Sequence, residues 1–100
     1  MPSTDVQIDE KIKVVITEPK RYKVILLNDD TTPMDFVISL LMEIFKHTAD
    51  SAGSVTMQVH ETGSGIAGVY SFEIAEAKAV EATSLARAAG YPLQIKMEEE

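Results

Sequence analysis

Hydrophobic and polar positions alternate along this chain in short segments, each with the period of a strand or a helix. Residues 21–28, RYKVILLN, form an apolar run closed by turn-forming residues, which is typical of a buried strand. Beyond the turn, apolar residues recur at the spacing of one helix face, at Met34, Val37, Ile38, Leu41 and Phe45. The pattern therefore predicts a strand followed directly by an amphipathic helix.

The start of this helix carries recognisable signals. Thr32 suits the N-cap, Pro33 suits the first helical position, and Asp35 suits the third position of a capping-box-like arrangement. We therefore expect the helix to begin at this threonine and proline.

The middle of the chain predicts a second, weaker helix over residues 47–60. Its apolar stripe consists of Ala52, Val55 and Val59. Thr48 is the candidate N-cap, whereas Gly53 lowers the helix propensity by roughly 1 kcal/mol relative to Ala. Residues 61–65, ETGSG, then indicate a turn.

A strand, a helix and a last strand complete the order. Residues 66–70 are apolar enough for a strand, and residues 71–90 form an Ala-rich helix. Ser71 is placed to cap that helix and Gly90 to stop it. Residues 93–97, LQIKM, alternate as a half-buried strand should.

These elements predict an α+β fold, a small antiparallel three-stranded sheet with three helices packed on it in the order β-α-α-β-α-β. Residues 1–20 are expected to form a flexible N-terminal tail that contains a short apolar patch, Ile12–Ile16. Residues 21–97 would be the core domain, and residues 98–100 a solvated acidic end.

Composition narrows the class of protein. The chain has 100 residues and no cysteine, which excludes thiol catalysis, cysteine-bound metals and a disulfide scaffold. Its net charge of −7 argues against a phosphate-backbone binder, which needs a basic surface. The beginning of the chain does not look like a signal peptide, and no apolar run is long enough to span a bilayer. These features predict a cytoplasmic protein.

Three familiar catalytic or ligand-binding patterns find little support. The segment GSGIAG, residues 63–68, follows a helix and runs into a strand, whereas a dinucleotide loop follows a strand and opens a helix. His47 and His60 are the only histidines, too few for a helical zinc site. No serine lies in a strand-turn-helix elbow. We expect neither an enzyme nor a metal site, and no cofactor.

The acidic turn Asn28-Asp29-Asp30 leaves two interpretations open. Asn and Asp terminate strands well because their side chains bond the local backbone. The same acids also lie at a strand-helix junction, beside apolar Met34 and Val37. A negative group next to an apolar hollow would suit a ligand that is cationic at one end and hydrophobic at the other.

At these residues the chain resembles a known family. The segments YKVILLNDDTTPMDFV, VH at 59–60, GVYSFEIAEAKA and YPL occur in the order found in the ClpS adaptors of the bacterial N-end rule. The resemblance covers about residues 21–97. It implies an adaptor, not an enzyme, that captures proteins beginning with Leu, Phe, Tyr or Trp. It implies delivery to the N-terminal domain of the AAA+ unfoldase ClpA or ClpC of the Clp protease.

The resemblance also implies a role for individual residues. The α-amino group of the substrate would be bound by Asn28, Asp29 and His60. The first side chain would enter a pocket of Asp30, Thr32, Met34, Val37, Thr56, Val59 and Leu93. The surface that docks on the unfoldase would include Glu73 and Lys78, and the N-terminal tail would engage the unfoldase during delivery. If His60 accepts a hydrogen bond from the ammonium through an unprotonated nitrogen, binding should weaken in mild acid.

Thr56 departs from the family pattern. Many members carry methionine at this position, which the resemblance implies is a gatekeeper that excludes β-branched first residues. Threonine is smaller and carries a hydroxyl, so we expect a different preference for the first residue, as in a divergent second adaptor copy.

A second function class stays open beside the adaptor. The predicted fold also resembles the C-terminal domain of the ribosomal stalk protein, which would make the chain a protein-interaction module without N-terminal recognition. On that interpretation the acidic turn and His60 share no task. A small enzyme is the third alternative and lacks a convincing nucleophile or metal cluster.

Overall fold

The structure, a computed structural model, describes residues 19–100. The elements follow one another as β1 (Arg21–Leu27), α1 (Met34–Glu43), α2 (Ala49–Thr62), β2 (Ser64–Ser71), α3 (Phe72–Ala88) and β3 (Gln94–Glu99). This is the predicted β-α-α-β-α-β order. The patch Ile12–Ile16 and nearly all of the predicted tail lie outside the described residues.

The three strands form one antiparallel sheet in the order β2-β1-β3, as predicted. Strand β1 is central, with Tyr22 opposite Tyr70 of β2 on one side and opposite Glu99 of β3 on the other. Val24 and Leu26 are fully buried beneath the helices. Because a one-residue slip would turn these side chains to the opposite face, their burial determines the register.

Strand β2 contains a β-bulge. Val24 pairs with Gly68 and the next residue, Ile25, pairs with Ile66, so that Ala67 has no partner on β1. The carbonyl oxygen of Ala67 instead accepts a hydrogen bond from Nε2 of His47, with a length of 2.6 Å. A histidine from the loop before α2 therefore satisfies the group that the bulge leaves unpaired.

The core lies between the sheet and the three helices. Helix α3 contacts all three strands, and α1 packs against α2. The side of α3 that faces the sheet consists of fully buried Ala75, Ala82 and Ala86. Small side chains at these positions let the helix backbone approach the strands closely. One end of the α1–α2 pair lies beside the end of β1, and the candidate site is found there.

The second helix has the capping that the sequence predicts. Thr48 accepts a hydrogen bond from the backbone N–H of Ser51, and Oγ of Ser51 accepts one from the N–H of Thr48. At the other end Gly63 adopts φ 95°, the left-handed conformation that glycine takes at little cost. Gly63 alone therefore connects α2 to β2, which begins at Ser64, and the connection is shorter than the predicted turn of residues 61–65.

Several predicted boundaries are wrong. The N-cap of α1 is Pro33, not Thr32, and no side chain caps the helix. Helix α1 ends at Glu43, before the predicted Phe45. Ser71 is the N-cap of α3 but makes no side-chain capping bond. Strand β3 continues to Glu99, beyond the predicted end at residue 97, because its backbone keeps pairing with β1.

Candidate functional site

The candidate site lies where β1 ends against the last turn of α2. The backbone N–H of Asn28 donates to the carbonyl oxygen of Gly63 at 2.9 Å, one pairing beyond Leu27 and Ser64. This bond brings the acidic turn next to the end of α2, which carries His60. Residues 32 positions apart in the sequence therefore face each other across a short gap.

Asp29 organises the turn that follows the strand. Its Oδ1 accepts hydrogen bonds from the backbone N–H groups of Thr31 and Thr32, both 2.8 Å long. Its Oδ2 accepts the hydroxyl of Thr32, also at 2.8 Å. The hydroxyl that the sequence predicted as a helix cap is thus directed to the aspartate. The turn-forming interpretation of Asp29 is therefore correct at the level of local structure.

These bonds control the charge of Asp29. Partial burial is the largest single effect and raises the pKa of the carboxyl group. The bonds from Thr32, then that from Thr31, then the positive charge of Arg87 act in the opposite direction, and the net pKa is lowered. Asp29 is consequently a stable carboxylate at neutral pH.

A cavity of about 250 Å³ opens between the turn, α1 and α2. Its wall combines a polar rim with apolar side chains and consists of Asn28, Asp29, Asp30, Thr32, Met34, Val37, Thr56, Val59 and His60. Clefts for drug-sized ligands measure roughly 300–1,000 Å³. The cavity here is smaller than these and suits one large side chain together with a polar head group.

Helix α2 contributes three residues to the wall on one face. Thr56, Val59 and His60 are separated by three and four positions, which places them side by side along the helix. Thr56 and Val59 are buried, whereas His60 is exposed at the mouth. The helix thus runs from an apolar interior to a polar opening.

The position of this wall depends on Gly65 of β2. A Cβ atom at Gly65 would lie 2.8 Å from Cγ2 of Val59 and 3.3 Å from Cγ1 of Val55. Only glycine lets α2 approach the strand this closely, so Gly65 helps to determine where Val59 stands in the cavity. The sequence assigns the glycines of this segment to a turn and to close backbone packing, and the packing is what Gly65 provides.

The structure brings together nearly all of the predicted site residues. The exception is Leu93, which is 1 % exposed in the core and is not on the cavity wall. Its carbonyl oxygen accepts a bond of 2.7 Å from Nη1 of Arg87, which also donates to the carbonyl oxygen of Tyr91. Arg87 thereby ties the loop before β3 to α3 and adds positive charge near Asp29. No sequence pattern linked this arginine to the site.

His47 lies apart from the cavity and has a structural role. Because the carbonyl oxygen of Ala67 can only accept, Nε2 of His47 carries the proton, and Nδ1 is left to accept from the hydroxyl of Ser51 at 2.9 Å. Within residues 19–100, no cluster of three or more His, Asp or Glu side chains is placed to hold a metal ion.

The predicted docking residues are both on α3. Glu73 is exposed in its first turn. Lys78 is half-buried, and its Nζ donates to the carbonyl oxygen of Ile44 at 2.7 Å, beyond the end of α1. The same ammonium group lies 5.3 Å from the ring centroid of Tyr70. Lys78 therefore also links α3 to the segment that follows α1 and to β2.

None of the helices in the described part of the chain combines the length and the apolar character needed to cross a membrane. The glycines of GSGIAG end α2 and enter β2, so this segment lacks the strand-to-helix geometry of a dinucleotide loop.

The fold and the cavity define a small α+β binding protein. Residues 17–96 match the family described as "ATP-dependent Clp protease adaptor protein ClpS". The chain belongs to the ClpS family, whose members are adaptors of the ATP-dependent Clp protease and not enzymes. The resemblance seen in the sequence is thus confirmed.

Curated relatives and a solved structure agree with this assignment. The ClpS adapter of Campylobacter jejuni (strain RM1221) is 49% identical over 100 residues, which is 100% of both chains. That of Helicobacter hepaticus is 43% identical over 91% of this chain and 92% of its own. The structure of Agrobacterium tumefaciens ClpS2 bound to L-phenylalaninamide has a TM-score of 0.80 and 46% identity, and the match covers 83% of this chain and 100% of that one.

Proposed function

We propose that this adaptor binds proteins through a free N-terminal amino group and a large hydrophobic first side chain, and delivers them to a Clp unfoldase. The observation that carries the proposal is the composition of the cavity, in which acidic and imidazole groups surround the opening of an apolar hollow. The Agrobacterium relative binds L-phenylalaninamide, which has a free amino group and a benzyl side chain. Both halves of that molecule have counterparts in the cavity of this chain.

Three side chains are available to the amino group. A free α-amino group has a pKa of about 8, so it is mostly an ammonium with three N–H donors at neutral pH. The Asp29 carboxylate offers about four acceptor positions, of which the turn uses three. The remaining position can accept from the ammonium. The side-chain oxygen of Asn28 and a neutral nitrogen of His60 supply the other two acceptors.

The apolar part of the cavity would hold the first side chain. Met34, 37 % exposed, stands at the opening, and buried Val37 and Val59 form the interior. Transferring a Leu or Phe side chain from water into such a site contributes about 1.5–3 kcal/mol. Charge-assisted hydrogen bonds add about 1.5–3 kcal/mol each. Association entropy offsets a large part, so we expect a Kd on the order of 1 μM.

Selectivity for a chain terminus would arise from the rim. An acetylated or internal residue presents no ammonium, so the carboxylate of Asp29 would be covered without a counter-charge. Covering an unpaired charged group carries a penalty of several kcal/mol. The apolar cavity alone would not separate a terminal Leu from any other exposed Leu, whereas the rim does.

Delivery would use the outer surface of α3. Glu73 is exposed there between Phe72 and Ile74, which are 48 % and 51 % exposed. Apolar side chains flanking a charge in this way are common in protein interfaces. We assign this surface, with Lys78, to the N-terminal domain of a ClpA or ClpC-type unfoldase. Residues 1–20 are assigned to unfoldase engagement, and the complex to the cytoplasm.

Peptides of one sequence, with and without N-terminal acetylation, test the proposal. Fluorescence anisotropy should show that a Leu- or Phe-initiated peptide binds and that its acetylated form does not. Asp29→Asn keeps one oxygen for the backbone N–H groups of the turn but removes the charge. We expect this change to weaken binding by about 1.5–3 kcal/mol, the usual contribution of a hydrogen bond to a charged group.

The same change at the neighbouring position is the matched control. Asp30 lies on the rim but is exposed, so Asp30→Asn should cost at most about 1 kcal/mol, as surface ion pairs do. Equal binding of free and acetylated peptides would reject N-terminal recognition. A larger loss of affinity for Asp30→Asn than for Asp29→Asn would assign the binding of the amino group to Asp30.

A further inference from the structure

Strand β2 has no side chain at the position that lies behind helix α2. Gly65 pairs with Leu26 of β1, which is fully buried beneath the helices. Directly opposite residues of an antiparallel pair point to the same side of the sheet, so the bare side of Gly65 faces the helices. Among the described glycines only Gly63 and Gly90 have positive φ. Glycine is therefore needed at Gly65 for space and not for its backbone conformation.

The space above Gly65 is occupied by α2 itself. A Cβ atom at this position would lie 2.8 Å from Cγ2 of Val59 and 3.4 Å from the carbonyl oxygen of Val55, and contacts of a Cβ atom below 3.0 Å essentially do not occur. Valine in a helix strongly prefers one rotamer, so Val59 does not turn aside easily. A side chain at Gly65 would therefore displace Val59, together with α2, away from the strand.

The displacement would be directed into the candidate site. Helix α2 contacts both β2 and α1, and none of the residues that line the cavity belongs to β2. Val59 is only 4 % exposed and is itself part of the cavity wall. The free space beside its displaced methyl group is thus the cavity, which would become narrower.

We propose that Gly65 is a positioning residue for substrate selection, because it lets α2 lie close enough to β2 to keep the cavity wide enough for an aromatic first side chain. Gly65 does not line the cavity and would act through Val59. The inference rests on the proposed N-terminal recognition and concerns which first residues that site admits. An adaptor with a side chain at this position would still bind amino groups but would lose the largest first residues before leucine.

The ratio of affinities isolates this effect from recognition of the amino group. Asp29 is fixed by bonds within its own turn, whereas His60 lies on α2 and would move with it. Any movement of His60 affects all peptides with a free amino group alike. A change in the width of the cavity instead affects a peptide according to the size of its first side chain.

Peptides of one sequence that begin with Leu, Phe or Trp test the proposal by fluorescence anisotropy on the full chain. For Gly65→Ala we expect the affinity for the Phe-initiated peptide to fall about tenfold relative to that for the Leu-initiated one, the lower end of what one methylene is worth in a hydrophobic pocket. The relative loss should be larger for the Trp-initiated peptide, because its side chain is the largest of the three.

Two further variants separate positioning from a general disturbance. Gly53→Ala makes the same change on α2, where an added Cβ would have no atom within 4 Å, and should leave the ratios unchanged. Val59→Ala removes the methyl group that the new Cβ would meet. In that background Gly65→Ala should no longer alter the ratios, since the two positions are coupled only through this contact.

Thermal unfolding of each variant establishes that the fold is retained. Trimethylamine N-oxide, added to every sample alike, keeps a destabilised variant folded, so that the ratios are measured in any case.

The outcomes distinguish this inference from the function on which it rests. If Gly65→Ala weakens all three peptides equally or not at all, while acetylated peptides fail to bind, the role of Gly65 is rejected and N-terminal recognition stands. A change of ratio that persists in the Val59→Ala background rejects the action through Val59. If no peptide with a free amino group binds the wild-type protein, both proposals are overturned together.

Discussion

The beginning and the second half of α2 carry similar polar side chains, which differ in whether they have hydrogen-bond partners within the protein. At its beginning, His47, Thr48 and Ser51 bond to one another, and His47 also donates to the bulged residue Ala67. In its second half, Thr56 has a buried hydroxyl without a partner among the described residues, and His60 is exposed at a cavity. The polar groups at the beginning of α2 are bonded within the fold, whereas the imidazole of His60 remains accessible at the cavity.

This difference teaches how to separate structural from functional polar residues in a small adaptor. Composition does not do it, because each end has one histidine and at least one threonine. Hydrogen-bond satisfaction does separate them, because a group that is already bonded inside the protein is unavailable for recognition. Asp29 combines both behaviours, since three of its acceptor positions hold the turn and one is left for the proposed amine.

The largest effect should come from His60→Ala. We expect this substitution to weaken the binding of a Phe-initiated peptide by about 2–3 kcal/mol, because an ammonium N–H then loses its acceptor on binding. Since the side chain is exposed, the free energy of unfolding should change by no more than about 0.5 kcal/mol. Anisotropy titration and urea denaturation measure the two quantities. A loss of stability without a loss of affinity would abolish the contrast between the two histidines.

His47→Ala should show the reverse behaviour with a somewhat smaller effect. Removing the imidazole leaves the carbonyl oxygen of Ala67, a residue only 2 % exposed, without its partner. We expect the free energy of unfolding to fall by about 1–2 kcal/mol, within the usual range for a buried unsatisfied group. Peptide affinity, measured well below the unfolding transition, should stay within about twofold of the wild type. A strongly reduced affinity in the folded variant would mean that the two ends of α2 are coupled.

Acid titration should give the smallest effect, a change in stability that arises at the acidic turn alone. The pKa of Asp29 is lowered from 3.8 in the folded protein, against the effect of burial, mainly by hydrogen bonds from Thr32 and Thr31. A lowered pKa means that this stabilisation is present above about pH 4 and is lost as the pH falls toward the folded pKa. Asp29→Asn should therefore flatten the loss of stability between about pH 4 and pH 2, measured by urea denaturation.

Glu98 is the matched control for this titration. The pKa of Glu98 is also lowered, by the hydrogen bond and the charge of Lys96 at 2.8 Å, but its side chain lies at the surface on β3. Its contribution should fall in about 1 M salt, where the Debye length is about 3 Å, whereas that of Asp29, which depends on hydrogen bonds from uncharged groups, should change less. Equal salt sensitivity of the two groups would argue against the turn bonds as the cause.

Much of the fold could be predicted because its signals are local. The apolar run of β1, the cap at Thr48 and the stop at Gly63 each depend on residues within one turn of one another. The start of α1 was misjudged although its cap residues were in view. The hydroxyl of Thr32 donates to Asp29, three residues earlier, and does not cap the helix. The sequence pattern does not indicate which of these two bonds the hydroxyl makes.

The candidate site is predicted mainly through a family resemblance, and the places of some of its residues depend on tertiary packing. Leu93 was expected in the pocket and is buried in the core instead. Its position depends on Arg87, which bonds its carbonyl oxygen and the loop before β3. The packing role of Gly65 likewise depends on how closely α2 approaches β2. Neither relation has a fixed spacing along the chain.

By itself the sequence determined the order of the elements, the antiparallel α+β class and the acidic turn beside an apolar helix, because each follows from spacing between near neighbours. Only the tertiary structure decided which polar groups find partners. His47 bonds Ala67 twenty residues away at a bulge, whereas the buried hydroxyl of Thr56 has no partner among the described residues. Whether a buried group is satisfied depends on all the elements that surround it, and that relation exists only once they have packed.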